Sequence, residues 1–182
     1  MEHTAQRQGS ALHEKTRLLV MTALFTALGY VATRVLMVPT PTGGYVNLGD
    51  AVVLLGAFLL GPAYGALAGG LGPALADLLS GYPAWVPGTL VIKALMGLTA
   101  ALIYRGTGKK PWSAAVAGVA AEIIMVTGYW LYDGLFIVKS LLGGAAGIPG
   151  NVVQGAFGMA VSTLLVLALR RSGYVRKLFP GI

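Results

Sequence analysis

The run AVVLLGAFLLGPAYGALAGGLGPALA, residues 51–76, carries no charged side chain. A bilayer core about 30 Å thick needs about 20 apolar residues in helix, so this run is too long for one comfortable span. Gly61-Pro62 near its middle is a strong breaker. The reading is therefore two helices, a short one from about Leu48 to Leu60 and another from Pro62 to Ser80. The loop Gly81-Tyr-Pro-Ala-Trp-Val-Pro87 follows.

Working outward, the pattern predicts a first helix from about Arg17 to Val38, stopped by the turn cluster Pro39-Thr-Pro-Thr-Gly-Gly44. A fourth runs from about Gly88 to Tyr104, a fifth from Trp112 to Asp133 and a sixth from Pro149 to Leu169. Gly134–Leu142 either extends the fifth or lies along the surface. The fold class expected is an all-α integral membrane bundle of six helices over 17–170. A polar, mobile tail (1–16) and a basic tail (171–182) flank it.

Composition agrees. Hydrophobic residues make up 56% and charged residues 10% of the 182, with a mean hydropathy of +0.76. Soluble domains carry about 25% charged residues, so this chain could not cover a water-facing surface. Disordered chains are poor in apolar residues and are excluded as well. The 27 glycines suit helices that approach closely in a membrane. Residues 1–16 are polar and the next apolar run is long enough to remain as a span, so no cleavable signal is expected.

The net charge of +7 invites a nucleic-acid reading, but its distribution opposes it. Ten of the thirteen basic residues form three clusters: Arg7, Lys15 and Arg17; Arg105, Lys109 and Lys110; Arg170, Arg171, Arg176 and Lys177. Threading six spans from a cytoplasmic N-terminus puts all three inside, as the positive-inside rule requires. Both termini are then cytoplasmic.

Ionisable groups inside spans are costly and usually mark function. They are Arg34, Asp50, Asp77, Lys93, Glu122 and Asp133. The topology brings Asp50, Asp77, Lys93 and Asp133 to the outer third. Lys93 lies about 8 Å into its helix at 1.5 Å per residue. Tyr45, Asn47, Tyr82, Trp85, Tyr129, Asn151 and Gln154 share that layer, while Glu122 sits near mid-depth. Two readings stand for this layer. The groups are an interfacial aromatic belt with a structural Asp77–Lys93 pair, or they form an outward-facing pocket in which aromatic walls stack a small polar ring and a few polar groups orient it.

Small residues recur at helical spacing. Ala23 and Ala27 share one face of the first helix, and Gly61, Gly65 and Gly69 recur every four residues. Internal packing explains the glycines. For the alanines, a face reserved for another protein is equally consistent.

Several chemistries are missing. Gly106-Thr-Gly-Lys-Lys110 fails as a phosphate-binding loop, because Ile103 stands where its first glycine belongs and Pro111 follows. His3 and His13 have no metal-ligand spacing, cysteine is absent, and no span holds a histidine base for a serine nucleophile. No enzymatic activity, metal or cofactor is expected. Any solute accumulation must draw on an ion gradient or a partner.

The block Tyr45-Val-Asn-Leu-Gly-Asp50 through Leu59-Leu-Gly-Pro-Ala-Tyr-Gly65, then Ala74-Leu-Ala-Asp77-Leu-Leu-Ser-Gly-Tyr82-Pro-Ala-Trp85 and Thr89-Leu-Val-Ile-Lys93, resembles the S components of energy-coupling factor (ECF) vitamin transporters. The similarity runs from residue 17 onward and is densest over 45–97. It is nearest the riboflavin-type branch, with its hydroxymethylpyrimidine and pyridoxine members. The resemblance implies a vitamin-binding subunit in a prokaryotic plasma membrane. It would dock through Ala23 and Ala27 onto a transmembrane coupling subunit that carries two ATPases. It places the ligand under the loops around Tyr45 and Tyr82. Depth and chemistry nominate Asp77, Lys93, Tyr129 and Asn151 as contacts, with Trp85 stacking. Pyridoxine and hydroxymethylpyrimidine fit best, and riboflavin stays open. The alternatives are a freestanding ion-coupled carrier using Glu122 or Asp77, and a scaffold protein without ligand.

Overall fold

A computed structural model describes residues 2–179, with side chains described for Leu12 and for residues 14–179. His3, His13 and Arg7 therefore lie outside the described side chains. The elements are α1 (Glu2–Val35), a two-residue hairpin of β1 (Val38–Pro39) and β2 (Tyr45–Val46), α2 (Gly49–Leu60), α3 (Pro62–Leu79), α4 (Val86–Gly106) and α5 (Ser113–Tyr132). A π-helical turn (Asp133–Ile137) continues α5. The short α6 (Leu141–Gly144), a 3-10 turn (Ala145–Gly147), α7 (Ile148–Leu169) and α8 (Gly173–Leu178) follow.

Among the described residues, four segments are long and apolar enough to cross a membrane: Glu14–Val35, Val86–Gly106, Ser113–Ile137 and Leu141–Leu169. The fold is thus an all-α, multi-pass membrane architecture. α2 is a shorter apolar helix. At 1.5 Å per residue its 12 residues reach about 18 Å, less than the bilayer core. Its place explains the length. Ten of its residues, from Gly49 and Asp50 to Leu60, are buried, because α1, α3, α4 and α7 surround it. Helix α3 is apolar but glycine-rich and carries Asp77 near its end.

Two boundaries differ from expectation. Helix α1 begins at Glu2, so the polar lead-in is helical and continuous with the first span. Its Ala, Gln, Glu and Lys residues are good helix formers, and no proline interrupts them. Of the two courses open to Gly134–Leu142, the structure takes the extension only in part: a π turn carries α5 on to Ile137, and the chain then breaks at Lys139, which has φ 55°.

Close packing rests on small residues. A Cβ at Gly65 would stand 2.7 Å from the Ala57 backbone of α2, and one at Gly72 would stand 2.7 Å from the Thr26 carbonyl of α1. The glycine series of α3 is therefore internal packing. Gly61, with φ 86°, makes the sharp α2–α3 turn that a side chain would strain, and the Arg105 guanidinium lies directly against it. Leu54, Phe58, Met96, Tyr104, Met125 and Val166 form the centre of the core. Leucines and valines such as Leu71, Leu75, Val91, Leu102, Val119 and Leu164 point outward, as lipid-facing residues do.

The antiparallel helices sort the two ends. Arg105 donates to the Leu60 carbonyl at 3.5 Å, and Arg170 stands beside Tyr104, so basic side chains gather at one end. The hairpin, the α3–α4 loop and the start of α7 gather at the other.

Candidate ligand-binding site

At that second end, six stretches of chain converge on one small polar cavity of about 30 Å³. Thr33 enters from α1, and Thr40, Tyr45 and Asn47 come from the hairpin loop. Pro73 and Asp77 enter from α3, while Trp85, Thr89 and Lys93 come from the start of α4. Tyr129 and Asp133 close it from the end of α5, and Asn151 and Gln154 from α7.

Its floor is a buried ion pair. Lys93 Nζ donates to Asp50 Oδ1, and both residues are 1% exposed. Gln154 Nε2 donates to the other Asp50 oxygen at 2.7 Å, while Gln154 Oε1 accepts the Asn47 amide N–H at 2.6 Å. Asn47 Oδ1 in turn accepts the Gly49 N–H at 2.7 Å, satisfying a free donor at the first turn of α2. The Lys93 ammonium also stands 5.4 Å from the Tyr129 ring centroid, whose face attracts a cation. Tyr129 donates to the Thr89 hydroxyl at 2.9 Å. A buried ion pair holds its charges only with such supporting hydrogen bonds.

The roof is aromatic. Tyr45 and Tyr82 pack with centroids 4.7 Å apart, and Tyr82 meets Trp85 edge-on at 5.7 Å. Trp85 Nε1 donates to Asp133 Oδ1 at 3.0 Å, tying the α3–α4 loop to the π turn. π turns inside helices recur at functional sites. Tyr45 OH donates to Asp77 Oδ1, tying the hairpin to α3. Burial, reinforced by that carboxylate, pushes the Tyr45 phenol above the ordinary tyrosine range, so it stays a donor at physiological pH. Gly43, with φ 85°, makes the hairpin turn, and the Trp85 ring covers Gly43 and Gly44.

The structure brings together most of the residues nominated from sequence. Tyr45, Asn47, Asp77, Trp85, Lys93, Tyr129, Asp133, Asn151 and Gln154 line the cavity. Asp50 lies beneath it and reaches it through Lys93 and Gln154, while Tyr82 stacks behind Tyr45. The pairing differs from expectation: Lys93 bonds Asp50, and Asp77 bonds Tyr45. Arg34 turns outward toward Met37. Glu122 is 7% exposed and lies against Gly155, Gly158 and Asp50, with neither carboxylate oxygen partnered among the described residues. Ala23 and Ala27 are exposed on the outer face of α1.

Four lining residues, Thr33, Thr40, Pro73 and Thr89, are absent from those nominated from sequence. Threonine is common in apolar helices and usually bonds the carbonyl one turn back. Thr22 and Thr26 of α1 do so, at 2.7 and 2.9 Å. A faint signal existed in the spacing, because Thr89 precedes Lys93 by one turn and so shares its helix face. No group of three or more His, Cys, Asp or Glu side chains among the described residues could hold a metal ion.

A profile for the S component of ECF-type riboflavin transporters matches residues 13–171. An uncharacterized protein in gap 3′region of Pyrococcus woesei is 34% identical over 143 residues, which are 78% of this chain and 93% of the relative. The thiamine precursor transporter HmpT of Lactococcus lactis subsp. cremoris (strain MG1363) is 28% identical over 160 residues, 85% of this chain and 89% of the relative. The match spans the helices that build the cavity as well as those that enclose it. The chain therefore belongs to the ECF-type riboflavin transporter S-component family, whose members are transporter subunits and not enzymes.

Proposed function

We propose that this protein captures a small, flat heterocyclic vitamin or vitamin precursor in the cavity beneath Tyr45, Tyr82 and Trp85, and passes it inward through an ATP-driven partner module. The carrying observation is the convergence of Asp77, Lys93, Asn151 and Gln154 from three helices on one hollow. A hydroxymethylpyrimidine is the favoured ligand, since a relative bears the name of a thiamine precursor transporter. Pyridoxine is next and riboflavin third.

In this reading the bundle has six spans. Its cavity end faces outward and its basic end, with Arg105 and Arg170, faces the cytoplasm, in line with the positive-inside rule. The exposed Ala23 and Ala27 face of α1 meets the coupling subunit. Pockets for small ligands usually run to about 300 Å³ or more. A hollow of about 30 Å³ holds little more than one water. Entry of a ring therefore requires the hairpin and the 80–85 loop to lift, and the Tyr45–Asp77 and Trp85–Asp133 bonds are what must open.

The sequence carries no phosphate-binding loop motif, and in this reading the energy for uptake comes from the partner's ATPases. Reconstituted alone in liposomes, it should bind the vitamin but not concentrate it. Concentrative uptake driven by a proton or sodium gradient, and abolished by Glu122→Gln, would replace this reading with a gradient-coupled carrier. The unpartnered mid-depth carboxylate of Glu122 is what supports that second reading.

A further inference from the structure

Most polar atoms facing the cavity are already committed to one another. Lys93 is neutralised by Asp50, Gln154 holds Asp50 and Asn47, Trp85 holds Asp133, and Tyr129 holds Thr89. The Asn151 amide makes no side-chain hydrogen bond among the described residues, and two lining groups go further, each with a fully buried atom left free. Asp77 Oδ2 and Thr33 Oγ1 are buried without a partner among the described residues, in side chains 4% and 1% exposed. Tyr45 takes one Asp77 oxygen and Thr89 stands beside the carboxylate, while the second oxygen makes no hydrogen bond among the described residues and remains an acceptor.

Thr33 is unlike the other threonines of its helix. Thr22 and Thr26 satisfy their hydroxyls on the carbonyl one turn back, whereas Thr33 turns its hydroxyl inward against Gly49. A side chain at Gly49 would occupy the place of that hydroxyl. The glycine that opens α2 thus keeps room for it. Helices α1 and α3 pack side by side, so the cavity wall presents a free acceptor on one and a free hydroxyl on the other.

We infer that Thr33 and Asp77 select the ligand, and that they select a ring carrying an exocyclic amino group beside a ring nitrogen. The amino N–H donates to Asp77 Oδ2, and the Thr33 hydroxyl donates to the ring nitrogen lone pair. This rests on the ligand-capture reading above and narrows its substrate class. A site built to hydrogen-bond a ligand group rejects the analogue that lacks it far more strongly than an apolar pocket rejects a missing methylene. Phosphate esters are excluded by the same wall, because the cavity's one lining cation, Lys93, is spent on Asp50 while Asp77 and Asp133 line the hollow.

The test is calorimetry on the purified full chain with four probes. These are 4-amino-5-hydroxymethyl-2-methylpyrimidine, its analogue with hydrogen in place of the amino group, pyridoxine and riboflavin. The amino compound should bind at least about 100-fold tighter than its desamino analogue. Asp77→Asn should weaken the amino compound at least about tenfold and leave the desamino analogue within about threefold, collapsing the preference. Thr33→Val should weaken both pyrimidines alike, and Thr33→Ser should restore them; these two variants decide the matter if Asp77→Asn does not fold. Equal affinity for the two pyrimidines, a preference that survives in Asp77→Asn or is untouched by Thr33→Val, or tight binding of pyridoxine or riboflavin alone would overturn the inference and leave the capture function standing. Binding of none of the four would overturn both.

Discussion

The polar hollow and the groove between α5 and α7 make an instructive pair. The hollow holds about 30 Å³ and is walled by acids, amides, hydroxyls and one lysine. The groove holds about 400 Å³ and is walled by Val119, Ile123, Val126, Val152, Ala156 and Met159, with Glu122 at its edge. In water the larger concavity would be the natural candidate for a ligand site. In a bilayer it is not, because acyl chains fill an apolar groove at no hydrophobic cost. What marks a site in lipid is hydrogen-bonding capacity gathered where lipid cannot satisfy it. On the proposed reading, polarity and not volume marks the ligand site.

The sharpest way to break the comparison is to remove the cation from the hollow. Lys93→Met leaves Asp50 buried with only Gln154 as partner. Losing one member of a buried pair costs about 3–5 kcal/mol. Ligand binding should become undetectable by calorimetry, and thermal unfolding in detergent should fall by several degrees. The double variant Lys93→Met with Asp50→Leu should recover the unfolding temperature without recovering binding, since an apolar replacement of a buried pair is often neutral for stability. Recovery of both would mean that the pair serves the fold alone.

Trp85→Ala should have the next largest effect. It removes a roof ring and the donor to Asp133, and base–aromatic stacking is worth about 1–3 kcal/mol. Affinity should drop about tenfold to a hundredfold, with most of the change in the dissociation rate measured by ligand exchange. The smallest effect belongs to the groove. Ala156→Leu, which narrows it from α7, should change ligand affinity by less than about twofold. A large loss there, with Trp85→Ala silent, would transfer the site from the hollow to the groove.

Sequence reading reached the depth of the key residues but not their azimuth. Asp50, Asp77, Lys93, Asn151 and Gln154 could be placed in one layer, because helix rise converts sequence position into height. Which of them touch depends on helix rotation and packing, and the Lys93–Asp50 pair across α4 and α2 was therefore not legible. Thr33 was missed for a related reason. Its hydroxyl matters only because it abandons the usual backbone bond, and nothing in the letters Ala32-Thr33-Arg34 reports that. The shortness of α2 was legible from Gly61-Pro62, whereas its central position was not. The π turn at Asp133 also leaves no mark in composition, although it sets the carboxylate that holds Trp85.

The central claim is that the hollow, and not the groove, is where this protein holds its ligand. Native mass spectrometry of the purified chain measures this directly, after incubation with 4-amino-5-hydroxymethyl-2-methylpyrimidine. The account predicts one molecule retained by the wild-type chain and by Ala156→Leu, and none retained by Lys93→Met/Asp50→Leu. Retention by that double variant, or loss in Ala156→Leu alone, would contradict it.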